Sequence, residues 1–255
     1  PTGLLDELVA QGKLTAVQAE LARRVPVAED ITAEGDSGGH TDRRPAVPLL
    51  SSICDLRNRV VAEHGYDRPI RVGAAGGIAT PSTVAATFAA GAAYVLTGSV
   101  NQACVEAGTS DLVKQMLSEV DVGGIAMAPA ADMFELGVEV QVMKHRTLFA
   151  ARARKLFDLY RRHASFEEIP QRDRQQIEQR MLRQSYEATW ETVKEYFAEH
   201  DPDRIAIGER DAKKKMAFVF KWYLHMATRW ATTGQADRSV DFQVWCGGAM
   251  AAFNH

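Results

Sequence analysis

Glu34-Gly35-Asp36-Ser37-Gly38-Gly39-His40, continued by Thr41-Asp42-Arg43-Arg44-Pro45, is the stretch on which the fold turns. It leaves a short run from Val27 to Ala33 that reads as a strand. Gly38 and Gly39 lack a Cβ, so the backbone there can approach a flat ligand closely or take positive φ. His40 follows at once, with carboxylates before it and two arginines after it. One reading is a strand end delivering a titratable ring to a ligand. The other is a glycine turn with a solvated histidine, and these residues alone do not separate the two.

Outward from this stretch, helices and short strands alternate. A helix over 3–11 is ended near Gly12, and Thr15-Ala16-Val17-Gln18 has the capping-box pattern for a second helix through Val25, with Val17, Leu21 and Val25 on one face and Pro26 as its stop. A third helix is expected from Pro48 to His64, striped by Leu49, Leu50, Ile53, Leu56, Val60 and Val61, with Gly65 as its C′ residue. Ile70 to Ala75 reads as a strand that empties into Gly76-Gly77-Ile78. Thr80 then caps a helix with Pro81 at its first position, Val84, Ala85 and Phe88 facing inward and Gly91 at its end. Ala93 to Thr97 is the next strand, leading through Gly98-Ser99 into a short helix from Val100 to Glu106. This alternation predicts a parallel sheet, whose ligands sit at the carboxyl ends of the strands.

Beyond residue 126 the pattern changes. Leu136 to Met143 reads as extended, and the rest as helical: Arg152 to His163, one long helix from a capping box at Ser165-Phe166-Glu167-Glu168 to Phe197, and Lys213 to Thr233. Trp190, Phe197, Phe220, Tyr223 and Trp230 fall at helical spacing and are expected in the core. Lys213-Lys214-Lys215 is expected to be a solvated helix start, the alternative being contact with an acidic carrier protein or a nucleotide phosphate. The expected organisation is therefore β/α units over 1–125 and a mainly helical extension over 126–255.

Composition sets limits on function. The 255 residues are 46% apolar and 25% charged with a net charge of −3, which describes a globular chain without a chain-wide nucleic-acid footprint. No apolar run approaches the about 18 residues of a membrane span, and no secretory pattern is present. Cys54, Cys104 and Cys246 are odd in number and lack zinc spacing, so a reduced cytoplasmic setting and no metal site are expected. Cys54 and Cys104 are expected buried within helices; Cys246, beside Gly247-Gly248, is the cysteine to watch. His145, His163, His200 and His225 show no metal-ligand pattern. Pro1 rather than Met at the head of the chain suggests a fragment, a cleaved chain or a trimmed one.

The glycine-rich strand ends carry the chemistry. Gly73-Ala74-Ala75-Gly76-Gly77-Ile78 departs from the dinucleotide fingerprint in spacing and lacks its downstream acid, but it offers bare backbone N–H groups. Thr97-Gly98-Ser99 offers a second set leading into a helix. Two such sites on consecutive strands form the phosphate grip common in (β/α)8 barrels, with tight strand–helix packing as the alternative. His40 would lie one strand earlier on the same rim, able to move a proton or polarise a carbonyl. Arg43 and Arg44 could hold an anionic cofactor tail or pair with Asp36 and Asp42, and surface pairing is expected for at least one.

Glu34-Gly35-Asp36-Ser37-Gly38-Gly39-His40-Thr41-Asp42, Arg71-Val72-Gly73-Ala74-Ala75-Gly76-Gly77-Ile78, Leu96-Thr97-Gly98-Ser99-Val100-Asn101-Gln102, Met127-Ala128-Pro129-Ala130-Ala131-Asp132-Met133-Phe134 and Trp245-Cys246-Gly247 together resemble the nitronate monooxygenase and flavin-dependent enoyl reductase superfamily. The likeness is greater to the enoyl reductase subunit of polyunsaturated fatty acid synthases and the trans-acting enoyl reductases of polyketide synthases, and it covers nearly the whole chain. The tail departs from that pattern at Gly248, where the family has proline, and at Ala251, where it has glycine.

The resemblance implies an α/β fold: the C-terminal portion of an FMN-binding (β/α)8 TIM barrel, its last three β/α units, plus a helical accessory region. It also implies FMN, a nicotinamide donor such as NADPH, and reduction of the C=C bond of an enoyl thioester on an acyl carrier protein. By position, Ala75, Gly76, Gly77, Gly98 and Ser99 would hold the FMN phosphate, Gly38 and Gly39 would let backbone approach the flavin, and His40 would face the substrate. The first part of the barrel is expected in a second polypeptide or a removed segment, and a homo-oligomer is left open. A nitronate monooxygenase using the same histidine and a non-catalytic half-barrel assembly module are the competing expectations.

Overall fold

Local signals fix the elements of the first part of the chain. The computed structural model describes residues 2–66 and 68–255; Pro1 and Asp67, and with Pro1 the reading placed on it, lie outside the described residues. By contact the chain divides into two units, one of residues 1–36 and 42–97, the other of residues 37–41 and 98–255.

In the first unit, α1 is Thr2–Ala10 and α2 is Ala16–Arg23, the latter opened by a reciprocal Thr15–Gln18 capping box. Strand β1 is Asp30–Glu34; β2, Gly39–His40, belongs to the second unit. Helix α3, Ala46–His64, starts two residues before the expected Pro48, since Pro45 takes the N-cap position and a proline is tolerated in the first turn. It ends on Gly65 at φ 60°, whose N–H donates to the Val61 carbonyl at 2.8 Å. Strand β3 is Arg71–Ala75; α4, Pro81–Ala89, has Thr80 as its capping residue and proline in its first turn; β4 is Val95–Leu96. These three strands form a parallel sheet in the order β1-β3-β4.

Asp30 and Arg71 face each other on the first rung of that sheet and pair through both carboxylate oxygens at 2.6 Å. Gly73 makes room for Tyr94: a Cβ there would lie 2.1 Å from the Tyr94 ring, whose hydroxyl bonds Thr32 Oγ1 at 2.9 Å. The core of this unit is small: Ala33, Leu50, Val72, Ala74, Ile78 and Ala92. The apolar faces expected to point inward do not all do so. Val17 is 70% exposed, Leu21 56% and Phe88 47%, and only Ala19 of α2 is buried. Helical spacing gives each face its direction, but no second layer of this unit covers these side chains.

The second unit contains an antiparallel sheet that the sequence reading did not foresee. Ser99–Ala103 is a 3-10 turn instead of the expected helix from Val100, and α5, Asp111–Ser118, follows a Ser110 cap. Strand β5 is Ile125–Pro129 and β6 is Glu139–Met143, the latter inside the stretch expected to be extended. The sheet order is β2-β6-β5. Then come α6 (Phe149–Arg162), α7 (Gln171–Gln176), a π-helical turn over Ile177–Leu182, α8 (Tyr186–His200), α9 (Asp203–Arg210), α10 (Ala212–Thr233), a 3-10 turn over Ala236–Asp241, and α11 (Gly248–Asn254).

The single long helix expected from Ser165 to Phe197 is broken. Pro170 has no N–H to give to a helix begun at Ser165, so α7 starts after it, and Arg183 at φ 58° ends the π turn before Ser185 caps α8. The predicted aromatic core holds: Trp190, Phe197, Phe220, Tyr223 and Trp230 are all buried, and Phe166 stacks on Tyr186 at 4.0 Å. Asp241, fully buried, accepts from Tyr223 at 2.7 Å, from Arg238 at 3.2 Å and from Arg152, while Arg238 donates to the carbonyls of Met181 and Leu182.

The three consecutive lysines are not a solvated start. Lys213 Nζ donates to the carbonyls of Tyr160 and His163, capping the carboxyl end of α6, Lys214 pairs with Glu135, and Lys215 with Glu187. Among the described residues no helix is long and apolar enough to cross a membrane.

Candidate functional site

His40 does not stand at the end of a parallel strand. It lies in β2, a two-residue strand antiparallel to β6, with Gly39 opposite Gln141 and His40 opposite Val140. The glycines before it are needed by the protein's own packing. Gly39 has φ 82°, and a Cβ there would sit 2.7 Å from Trp245 Cε3. Gly38 and Gly247 press backbone against backbone: a Cβ on Gly38 would be 2.9 Å from Gly247 N, and one on Gly247 would be 2.8 Å from Gly38 N.

The tail is fastened along β6. The Met143 N–H donates to Val244 O at 2.9 Å and the Cys246 N–H to Gln141 O at 3.2 Å. Gln141, almost fully buried, donates from Nε2 to Ser37 O at 3.0 Å. Gln102 Nε2 donates to Trp245 O at 2.6 Å, and Ser99 Oγ accepts the Gly247 N–H at 2.9 Å.

This framework aims His40 at Asp132. His40 Nε2 lies 3.1 Å from Asp132 Oδ1, which also accepts the Met133 N–H at 3.0 Å. The Trp245 ring meets the imidazole edge-on, with centroids 5.3 Å apart. The His40 side chain is 35% exposed, so it is both held and reachable. Burial pushes the Asp132 pKa up, but the His40 hydrogen bond and charge and the backbone N–H groups outweigh it and the net shift is downward. Asp132 is therefore a carboxylate throughout the neutral range. Its contribution to the pair is present above the usual aspartate value of 3.8 and is lost only as pH falls below that. A carboxylate at Nε2 selects the tautomer with its proton there, which leaves Nδ1 as the basic nitrogen of neutral His40.

Of the other glycine turns, Gly76-Gly77 belongs to the first unit and Gly98 to the second. Gly76, at φ 86°, lies against the backbone of Gly35 and Asp36, with a Cβ position 2.8 Å from Gly35 C, and the Gly35 N–H donates to Ala75 O at 2.8 Å. Gly77, at φ 73°, has open space where a Cβ would be. Gly98 in the second unit is open in the same way, and Ser99 after it is buried. Open backbone at Gly77 and Gly98 fits close approach by a phosphate or a flat ring. Arg44 pairs on the surface with Asp42 at 3.0 Å, as expected for one of the two arginines.

Asp132, Trp245 and Gln141 had no role assigned from sequence. Asp132 and Trp245 fall in two of the stretches that carried the resemblance, which was the available signal. Cys246 is fully buried and burial pushes its thiol up to about 12, so it is inert at neutral pH. Cys104, expected buried, is exposed, and Cys54 is half-buried. Among the described residues no group of three or more His, Cys, Asp or Glu is placed to hold a metal ion.

Comparison with known proteins places the chain in a family. The chain is 48% identical over 258 residues to one of the polyunsaturated fatty acid synthase subunits of Thraustochytrium sp. (strain ATCC 26185 / S-3), covering all of this chain and 17% of that protein. It is 41% identical to the polyketide biosynthesis protein PksE of Bacillus subtilis (strain 168), covering all of this chain and 33% of that one. The chain thus spans a third or less of these relatives. The crystal structure of the enoyl reductase domain of MlnA, from the macrolactin biosynthesis cluster of Bacillus amyloliquefaciens, superposes with a TM-score of 0.93 at 39% identity, over 100% of this chain and 57% of that one. FabK from Thermotoga maritima, at 20% identity and a TM-score of 0.52, shares the fold. The fold is accordingly α/β, similar to part of the TIM barrel of these proteins, with a helical accessory region. Residues 163–242 match the inserted helical domain of [acyl-carrier-protein] S-malonyltransferase. Residues 9–192 match nitronate monooxygenase, and with 72% of its length inside that match the chain belongs to the nitronate monooxygenase family.

Proposed function

We propose that this chain supplies His40 and part of the cofactor site to an FMN-dependent enoyl reductase that reduces the C=C bond of carrier-bound enoyl thioesters in the cytoplasm, with a nicotinamide donor such as NADPH. The observation that carries the reading is the His40–Asp132 pair braced by Trp245, in a chain 39% identical to a domain described as an enoyl reductase. The relatives named for polyunsaturated fatty acid and polyketide synthesis support an acyl carrier protein as the partner that presents the substrate.

Gly38 and Gly39 seat His40 against Trp245 and Gly247, and the backbone beside them is read as the surface a flavin would approach. Ala75, Gly76 and Gly77 are read as flavin-phosphate contacts of the first unit, and Gly98 and Ser99 as contacts of the second, each on its own backbone. Bound FMN would supply the hydride relay from the nicotinamide to the enoyl carbon. His40 would orient the thioester carbonyl and, when protonated, deliver a proton from Nδ1, while Asp132 keeps the ring turned and steadies its positive form. The exposed apolar side chains of α2 and α4 support a further barrel portion, a second chain or a preceding segment, packing on the first unit. The division at residue 125 into β/α units and helical extension remains our proposed domain organisation.

The test uses the complete barrel. His40→Ala should lower anaerobic, enoyl-thioester-dependent NADPH oxidation by about 100-fold or more, with flavin absorbance retained. Asp132→Asn should lower it less and alter its pH profile. Undiminished turnover in His40→Ala would remove the reading. The family match favours one second reading, oxidation of a nitroalkane by the same histidine, and that assay run in parallel separates the two. A complete barrel without flavin absorbance would leave the half-barrel assembly module.

A further inference from the structure

Helices α8, α9 and α10 line a half-open cavity of about 660 Å³, within the range of small-molecule sites. Neither His40 nor Asp132 lines it, but the Asp132 carboxylate acts on two residues that do, Lys221 and His225. Its floor is apolar: Val193, Phe197 and Phe218 are buried, and Trp222 and Met226 are half-buried. Its rim carries Arg204 and Arg229 against Glu195 and Glu199, with His225 beside them. Arg204 is already paired with Asp201 at 2.7 Å.

Lys221 is the cation set deepest in the wall. Its side chain is only 19% exposed, and the carboxylate beside it, Glu135 Oε1, stands at 4.0 Å, at the limit of an ion pair. The other oxygen of Glu135 is taken by Lys214. Burial lowers the Lys221 pKa, Glu135 and, more weakly, Asp132 raise it, and Arg204 and Lys214 lower it further, with a net downward shift. His225 shifts downward through burial and through Lys221, against the pull of Asp132. An ammonium mostly out of water, whose one ion pair is at 4.0 Å to a carboxylate shared with Lys214, gains from an added anion, because a weakly compensated charge out of water is costly. An apolar floor next to that ammonium calls for one molecule with both characters.

We infer that this cavity is a binding site for an aliphatic chain that ends in an anionic group, carboxylate or phosphate, with the chain on the Phe197–Phe218–Met226 floor and the anion at Lys221. The inference stands apart from the reductase reading, since it requires neither flavin nor His40.

Isothermal calorimetry on the full chain tests it, with dodecanoate and dodecyl phosphate below their micelle concentrations and dodecanol below its solubility limit. Both or one of the anions should bind about tenfold or more tighter than the alcohol. A carboxylate preference points to a free fatty acid, and a phosphate preference to a phosphate-bearing carrier arm. Lys221→Met should remove the preference for the anion and spare dodecanol binding. Met226→Trp should fill the floor and weaken all three, and Thr192→Phe on the facing helix repeats the block should the first variant fail to fold. His40→Ala should bind as the parent does, so loss of reductase activity and loss of this site are told apart. No heat with any of the three compounds, anion preference unchanged in Lys221→Met, or undiminished binding in both filled variants overturns the inference.

Discussion

The two units solve the problem of burial differently. The first packs six small or medium side chains between a three-stranded parallel sheet and α3, and leaves Val17, Leu21 and Phe88 in the open. The second buries Trp190, Tyr223, Phe134, Phe149 and Phe220 completely and threads a charged knot around Asp241. Capping residues and strand register therefore specify the first unit, with little core to enforce it. Side-chain packing specifies the second. A substitution should be felt according to which kind of order it attacks.

The largest effect is expected at Asp241. Asp241→Ala strands the guanidinium groups of Arg152 and Arg238 and should cost about 3–5 kcal/mol. Hydrogen exchange should show the loss in α6 and α10 with β1 and β3 unchanged; equal loss in both units would erase the contrast between them. Gly73→Val attacks the first unit instead. Its side chain collides with the Tyr94 ring and should cost about 1–3 kcal/mol, read as lost protection in β3 and β4 only. Lys213→Met removes the cation that caps α6 and should cost about 1–2 kcal/mol in the second unit, measured by thermal unfolding.

The smallest effect is chemical. Alkylation at neutral pH followed by mass spectrometry should mark Cys104 first, Cys54 more slowly and Cys246 not at all in the folded chain. The Cys246 thiol is raised from 9.0 to about 12 by burial, so its share of stability is intact below pH 9 and is lost as pH climbs from 9 toward 12. Labelling of Cys246 at neutral pH without unfolding would show that the tail is looser than its hydrogen bonds imply.

What was legible in the sequence followed the same division. Thr15, Gly65, Thr80 and Pro81 act within a few residues of themselves, so the helices of the first unit could be read with small errors at their ends. The direction of their apolar faces was legible too, but not whether anything covers them. The antiparallel sheet was not, because β2 is two residues long and its partner lies about a hundred residues away. The His40–Asp132 pair spans 92 positions, and no local pattern joins the two. The helix misread across Ser165 to Phe197 shows a capping signature being given more weight than the missing N–H of Pro170 and the left-handed Arg183. Of the candidate site, His40 and its glycines were named from sequence, while the packing that requires Gly38 and Gly39 lies in Trp245 and Gly247, at the far end of the chain.

Trp245 has one more consequence. An imidazolium quenches indole emission far more than a neutral imidazole does, and the ring of Trp245 stands edge-on to His40 at 5.3 Å. The chain thus carries its own optical reporter: the difference in fluorescence between the parent and Trp245→Phe, followed through a titration, would record the charge on His40 with no substrate, cofactor or label present.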